Sequence, residues 1–382
     1  MSPNNEGGRN EFEERLWEAA DQLRANSKLL PSQYSVPVLG LIFLKFAYHR
    51  FQNAKRELEE RGSSSRRGID ESDYHSLGVM YLPESARWST LLNLPEVVDI
   101  GREISNAMVT IEEVNEDLRG ALPRNYSAIE NKTLFELIRV FDDIPLDTGE
   151  DLFGRIFEYF LGNFAMKEGQ GGGTFYTPSS IVRMIVEILE PDHGLILDPA
   201  CGSGGMFVQS ARFVNNHSQN TNDISIYGTD MIQQNVNLAR MNMAVHQLSG
   251  QMLQANSYYE DPFESPGKFD FVMANPPFNV DRIDKERIKN NTSRYPLGMP
   301  KTDNGNYIWI QMFLGALNEN GRAGFVMANA ASDSGHTELK IRKKLLQEKV
   351  VDIMISVSSN FFYTVTLPCT LWFLDKAKKG TE

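Results

Sequence analysis

Apolar residues change their spacing part-way along the chain. From Asn10 to about Ile144 they recur at helical intervals, and farther on short apolar runs alternate with helical ones. The longest apolar stretch, Val36 to Tyr48, is broken by Lys45 and is too short to span a bilayer. Met108 to Val114 and Lys132 to Phe141 read as helices, the second with Asn131 as its cap. The serine-rich stretch Gly62 to Gly68 reads as a flexible loop, and Pro145-Leu146-Asp147-Thr148-Gly149 as a domain boundary. The pattern predicts an all-α domain over residues 1–145 and a second domain over 146–382.

The second domain opens with an amphipathic helix, Leu152 to Phe164, and a glycine-rich loop, Gly169 to Gly173. A helix over Ile181 to Leu189 comes next. Six strands are then predicted: Leu195–Asp198, Ile224–Thr229, Phe269–Ala274, Ala323–Met327, Val350–Ile355 and Leu371–Leu374. Strands alternating with helices imply an α/β fold, a Rossmann-like, doubly wound and mostly parallel sheet with helices on both faces. The ligand crevice of such a sheet lies at the carboxyl ends of its strands. Asp198, Asp230 and Asn275 all fall there.

The most telling of these ends is Asn275-Pro276-Pro277-Phe278, directly after the apolar run Phe269 to Ala274. Two prolines fix φ at roughly −65° and remove their N–H donors, and the residue before each is held extended. Asn275 Oδ1 and the Pro276 carbonyl are thereby offered as two acceptors beside the Phe278 ring. That set suits a planar group bearing NH₂, such as adenine; a proline-rich strand exit with a packing Phe is the plainer reading. Upstream, Leu195-Ile196-Leu197-Asp198-Pro199-Ala200-Cys201-Gly202-Ser203-Gly204-Gly205 runs from strand through acid to glycine turn, and a helix continues through Val208 to Val214. Glycine there permits positive φ and close approach by a ligand. The carboxylate of Asp198 would repel a pyrophosphate and suits a ligand carrying an ammonium group, as S-adenosylmethionine does; a helix-capping carboxylate is the alternative. Asp230, closing the second strand, suits ribose hydroxyls. In the helix Asn235 to Val245, residues Val236, Leu238, Ala239 and Met243 form the apolar stripe, read as core.

Glycine loop, strand-two acid and Asn-Pro-Pro-Phe turn, in that order, resemble the amino-group DNA methyltransferases that use S-adenosylmethionine, a class I methyltransferase fold. Gly173-Thr174-Phe175-Tyr176-Thr177-Pro178, Leu16 to Arg24, Val38 to Lys45 and Gly154 to Leu161 extend the likeness, over nearly the whole chain, to the modification subunit of type I restriction–modification systems. The resemblance implies cofactor contacts from Thr174, Phe175, Tyr176, Thr177, Pro178, Ser179, Asp198, Ala200, Gly202, Ser203, Gly204, Gly205, Asp230, Met231, Asn256 and Ser257. It implies a catalytic turn of Asn275, Pro276, Pro277 and Phe278; the glycine-rich composition of the Gly169–Gly173 loop suits a segment that orders when cofactor binds. Asp230 replaces the Glu common in that family. Asn256, in Ala255-Asn256-Ser257 after the third strand, replaces an Asp that accepts from the cofactor's adenine amino group. Implied partners are double-stranded DNA, a specificity subunit, a second copy of the chain and, less directly, a restriction subunit. The first domain would contact DNA and partner subunits. Relatives usually continue into a helical tail that grips the specificity subunit; this sequence stops at Glu382.

Composition bounds the picture. Two cysteines, Cys201 and Cys369, are too few for a disulfide framework and fit a reducing cytoplasm. The polar stretch Ser2 to Glu14 has no signal-peptide core. No His or Cys spacing suits a metal, so none is expected. The net charge of −12 opposes DNA, whose phosphates favour basic proteins, unless the acidic groups lie on faces away from the duplex or, as the resemblance implies, a separate subunit supplies most contacts. A local exception is Arg282, Lys285, Arg287, Lys289, Arg294 and Lys301 after the catalytic turn, offset by Asp281, Asp284 and Glu286.

These readings converge on methyl transfer to N6 of an adenine flipped from the duplex, with Phe278 stacking on the ring. Tyr307 and Trp309 are candidate pocket walls, although ordinary core packing is the stronger reading for both. Cytosine N4, an RNA base or a protein glutamine remain alternative acceptors, and a non-catalytic cofactor-binding subunit is the alternative from another class.

Overall fold

The computed structural model describes residues 4–27, 29–62, 68–145, 151–169, 177–217, 223–300, 305–359 and 368–380. The predicted loops at 63–67 and 170–173 and the predicted boundary at 146–149 lie outside them. Backbone packing divides the chain into two units, Met1–Gly172 with Arg240–Gln247, and Gly173–Ala239 with Leu248–Glu382.

Helices make up the first unit: α1 (Asn4–Ser27), α2 (Pro31–Gly62), α3 (Glu71–Ser76), α4 (Trp88–Leu92), α5 (Ile100–Val114), α6 (Asn131–Asp142) and α7 (Asp151–Gly169). The long apolar stretch of the sequence is the buried centre of α2, where Val38, Leu41, Ile42 and Leu44 lose all contact with solvent. Lys45 is tolerated among them because its Nζ meets Asp142 Oδ1 at 2.6 Å, and Trp88 Nε1 donates to the same oxygen at 2.9 Å. A buried ammonium needs such a partner. Trp17 of α1 packs edge-on against Phe160 and Phe164 of α7. Asn131 departs from expectation. The residue preceding α6 is Glu130, without a capping side chain, and Asn131 Nδ2 instead donates to the Val98 carbonyl at 3.1 Å. A short amide takes whichever backbone partner the fold brings near. No described helix is long and apolar enough to cross a membrane.

A seven-stranded sheet organises the second unit, in the order β3-β2-β1-β4-β5-β7-β6. Its strands are β1 (Gly194–Asp198), β2 (Ile224–Asp230), β3 (Gly250–Gln254), β4 (Phe269–Ala274), β5 (Leu317–Ala328), β6 (Val351–Val357) and β7 (Cys369–Asp375). Neighbours from β3 to β5 pair in parallel, while β7 runs antiparallel to both β5 and β6. The sheet is therefore mixed at one end. Among the helices are α8 (Ser179–Leu189), α9 (Gly205–Asn216), α10 (Gln233–Val245), the single turn α11 (Lys285–Ile288), α12 (Asn306–Ala316) and α13 (His336–Gln347). Every residue of α12 is buried, matching its apolar character all round. Tyr307 and Trp309 sit in it as core residues. Tyr307 hydrogen-bonds the Ala331 carbonyl at 2.7 Å, and Trp309 packs against Tyr258 and Phe313. Val236, Ala239 and Met243 of α10 are buried, as expected. Arg322 of β5 closes the end of α8 by donating to the Leu189 and Ile188 carbonyls at 2.9 and 3.1 Å, which fixes the helix that follows Thr177 and Pro178.

Candidate active site

Strand β1 is the hinge of the site because it lies between β2 and β4. Parallel pairing sets Asp198 opposite Gly228 of β2 and Leu197 opposite Val272 of β4. The carboxyl ends of all three strands therefore lie side by side, and with them Asp198, Asp230 and the turn beginning at Asn275. The chain order reverses direction across the sheet at this point, where open α/β sheets hold their ligands.

The glycine loop is built on the end of β2. Cys201 N donates to the Thr229 carbonyl at 3.0 Å, and Gly202 N to Asp230 Oδ2 at 3.1 Å. Gly202 and Gly204 both take left-handed φ, +52° and +80°, a region closed to most side chains. A Cβ on Gly202 or Gly205 would meet nothing within 4 Å, so the loop faces open space that a ligand can enter. Gly228 does the opposite. A Cβ there would lie 2.6 Å from Met252 Sδ and 3.1 Å from Cys201 Sγ; its absence lets the loop rest on the strand. Strand β2 reads as an ordinary apolar run, so only the single glycine within it hinted at this close approach.

Asp198 is 2 % exposed, and its Oδ1 accepts from Ala200 N at 3.0 Å. Burial, with Asp230 as a neighbouring negative group, pushes its carboxyl up to about 8. A buried carboxylate without a cation is unfavourable, and an incoming ammonium group relieves that penalty. Asp230 is arranged differently. Besides Gly202 N it receives Ile232 N at 2.8 Å and Asn235 Nδ2 at 3.1 Å on Oδ1. A carboxylate has about four acceptor positions, so it can brace the loop and still take one hydroxyl. Met231 and Ile232, just beyond it, are 62 % and 43 % exposed. They are apolar surface beside the acid, suited to the face of a purine. Nothing in the sequence alone assigns a site role to Ile232, Asn235 or Gly228.

Asn256 Oδ1 accepts from Tyr258 N at 3.2 Å, and its own N–H donates to Glu260 Oε2 at 2.7 Å. Ser257 is 6 % exposed. Its hydroxyl lies 2.6 Å from the Pro199 carbonyl and 3.0 Å from Thr229 Oγ1. It joins the loops after β1 and β3 to the end of β2 and is committed to the scaffold. Of the remaining residues expected near a cofactor, Thr174, Phe175 and Tyr176 lie outside the described residues. Pro178 precedes α8, whose Ile181 N donates to its carbonyl. Ser179 is the exposed first residue of α8, and Ala200 and Ser203 are half-buried in the loop.

At the turn, Pro276 is buried, Pro277 exposed and Phe278 half-buried. Asn275 Nδ2 donates to Thr177 Oγ1 at 2.8 Å, which leaves Oδ1 as its acceptor. Among the described residues no hydrogen bond to the Pro276 carbonyl is found. Asn279 follows with a left-handed φ of +56°. Asn306, at the start of α12, clamps it with a bond in each direction, both 2.9 Å. Of the basic residues after the turn, Arg294 is buried, its Nη2 donating to the Ser257 carbonyl at 2.7 Å and its Nε 3.6 Å from Asp261. It holds the loop to the fold and is unavailable to phosphates. Arg282, Arg287 and Lys289 are exposed, Lys285 is half-buried, and Lys301 lies outside the described residues. No three His, Cys, Asp or Glu side chains among the described residues could hold a metal ion.

Residues 148–382 match the N-6 DNA Methylase family model, and residues 12–141 match that of the HsdM N-terminal domain. The chain is 38 % identical to the type I restriction enzyme MjaIX methylase subunit of Methanocaldococcus jannaschii, over 96 % of this chain and 70 % of that one. It is 35 % identical to the HindI methylase subunit of Haemophilus influenzae, over 78 % of this chain and 73 % of the relative. In fold it resembles the type I restriction–modification methyltransferase subunit of Streptococcus thermophilus, with a TM-score of 0.79 at 22 % identity, covering 96 % of this chain and 85 % of that one.

Proposed function

The chain belongs to the N-6 DNA methylase family and is an adenine-specific DNA methyltransferase of the type I methylase-subunit kind, and from that premise we propose how its residues carry the reaction. S-adenosylmethionine supplies a methyl group on an already activated sulfonium. Asp198 receives its ammonium group, the glycine loop from Gly202 to Gly205 its methionine half, Asp230 its ribose, and Met231 with Asn256 its adenine. Thr174 to Tyr176, with Pro178 and Ser179, complete the cofactor side.

The acceptor side is the turn. An adenine amino nitrogen is a poor nucleophile because its lone pair is shared with the ring. Asn275 Oδ1 and the Pro276 carbonyl accept its two hydrogens, favour a pyramidal nitrogen and stabilise the charge that grows on it. Preorganised acceptors of this kind change rates by about 10²–10³ each where water is excluded. Pro277 keeps the corner stiff. The target base must leave the duplex to reach it, and Phe278 stacks on it, worth roughly 1–3 kcal/mol. The hydrogen-bonding pattern of Asn275 carries this reading: its amide nitrogen is occupied and its oxygen is left to accept.

The domain boundary is proposed near residue 146, with the helical segment before it contacting DNA and partner subunits. With a net charge of −12, most phosphate contacts fall to another polypeptide, for which a specificity subunit is the candidate. A second copy of the chain and a restriction subunit complete the proposed assembly. The test supplies labelled S-adenosylmethionine and duplex DNA to the chain with a specificity subunit, then digests the product to nucleosides. N6-methyldeoxyadenosine is expected; N4-methyldeoxycytidine, or label in protein alone, would overturn the proposal.

A further inference from the structure

Thr177 and Asn275 are 98 positions apart and meet at the mouth of the sheet, with Asn275 Nδ2 2.8 Å from Thr177 Oγ1. We propose that Thr177 is the positioning residue of the catalytic amide, holding it in the one orientation that presents oxygen to the target base. This rests on the catalytic role given to Asn275 above. A terminal amide has two faces of opposite hydrogen-bonding character, separated by a half-turn about its last torsion, which is soft. With oxygen forward, Asn275 accepts an adenine N–H. With nitrogen forward, it opposes one N–H with another, and the nucleophile loses an acceptor. Nothing in the corner itself selects between the two, since Pro276 and Pro277 fix backbone and not side chain. In the structure the threonine hydroxyl accepts from the NH₂ end, which leaves the oxygen forward.

Thr177 is well placed for this. Pro178 follows it and restricts its backbone to extended conformations. Ile181 N and Val182 N both donate to the Pro178 carbonyl at 2.9 and 3.1 Å, and the far end of that helix is closed by Arg322. The hydroxyl thus projects from a braced segment onto a braced turn. A threonine expected only to line the cofactor pocket is thereby tied to the acceptor side of the reaction.

The test uses the full chain with its specificity subunit and duplex DNA, comparing Thr177→Val, which keeps shape and removes the hydroxyl, with Thr177→Ser, which keeps the hydroxyl. Single-turnover methyl transfer and S-adenosylmethionine affinity by calorimetry are measured for each, and Thr177→Val is repeated in an Asn275→Ala background. Expected are a loss of about 10–100-fold in transfer rate for Thr177→Val, the scale of second-layer supports in active sites, cofactor affinity within about threefold, and recovery in Thr177→Ser. In the Asn275→Ala background Thr177→Val should add no further loss, because residues acting as a unit are not additive. The proposal fails if Thr177→Val keeps its rate, if rate and cofactor affinity fall in step, if Ser fails as Val does, or if the two substitutions multiply. An unsubstituted enzyme that makes no N6-methyladenine would instead overturn the function proposed above.

Discussion

Asn279 and Asn306 hold each other in a closed pair: Asn279 N donates to Asn306 Oδ1, and Asn306 Nδ2 to Asn279 Oδ1, each at 2.9 Å. Gly305 N adds a bond to the Val280 carbonyl at 2.8 Å. The first residue after the Asn275–Phe278 turn is thus fastened to the start of the buried helix α12, and Phe278 is held between two fixed points. Asn306 is 2 % exposed while Asn279 is exposed, so the pair ties an exposed turn to a buried helix start.

Asn306→Ala should therefore lower stability by about 0.5–1.5 kcal/mol for each of the two bonds lost, the net worth of an ordinary hydrogen bond. Methyl transfer should fall more than about tenfold through misplacement of Phe278 and the turn, with cofactor affinity unchanged. Denaturant unfolding and single-turnover assays check the two parts separately.

Asp198 gives a dependence on pH. Its carboxyl, pushed up to about 8 by burial, holds a proton in the folded protein that it would lose in the unfolded chain. A raised acid contributes stability below the ordinary value of 3.8, and that contribution is lost as pH rises through about 8. The cofactor-free protein should accordingly melt at a lower temperature at pH 8 than at pH 5 relative to Asp198→Asn, which lacks the titration.

Cofactor affinity runs the other way. The ammonium group of S-adenosylmethionine needs the charged carboxylate, so binding below pH 8 expels a proton and strengthens with rising pH by up to about tenfold per unit. Above about pH 8 the α-amino group itself deprotonates, and affinity falls again. Calorimetry in buffers of different ionisation enthalpy should register the proton. Asp198→Asn should bind weakly, with no acidic limb.

Gly228→Ala places a Cβ 2.6 Å from Met252 Sδ and 3.1 Å from Cys201 Sγ. Forcing extra volume into a packed site costs about 1–3 kcal/mol, and here the strain falls on the glycine loop. The variant should melt earlier and bind S-adenosylmethionine more weakly, although residue 228 has no part in the chemistry. Thermal melting with and without cofactor checks it: the shift produced by cofactor should shrink as well as the starting value.

The parts of this molecule that sequence reveals are those whose signal is local. The runs ending at Asp198, Asp230 and Ala274 are apolar enough to announce buried parallel strands, and the acid, glycine turn and double proline that follow are read directly. β3 is placed only by the resemblance, as the strand before Ala255, because Gly-Gln-Met-Leu-Gln is an edge strand with only Met252 buried and lacks the apolar run of an interior strand. The reversed direction of β7 also goes unseen, since Cys369 to Asp375 is as apolar as a parallel strand would be. In the site, pairings across long stretches of chain were out of reach. Asn306 and Arg294 look like ordinary polar loop residues until the fold sets one against Asn279 and the other against the Ser257 carbonyl. The Arg294 charge, counted in the basic stretch after the turn, is consumed inside.

Asn275→Ala bears most directly on the chemistry, because it deletes one acceptor while leaving both prolines and the cofactor loop in place. Rapid mixing of the variant with labelled S-adenosylmethionine and target duplex, followed by quantitation of N6-methyladenine, gives its single-turnover rate, and calorimetry on the same preparation gives its cofactor affinity. A rate lower by about 10²-fold or more with affinity within about twofold is the expected result. A rate equal to that of the unsubstituted enzyme, or a loss of rate matched by an equal loss of cofactor affinity, would contradict the role given to the Asn275 oxygen.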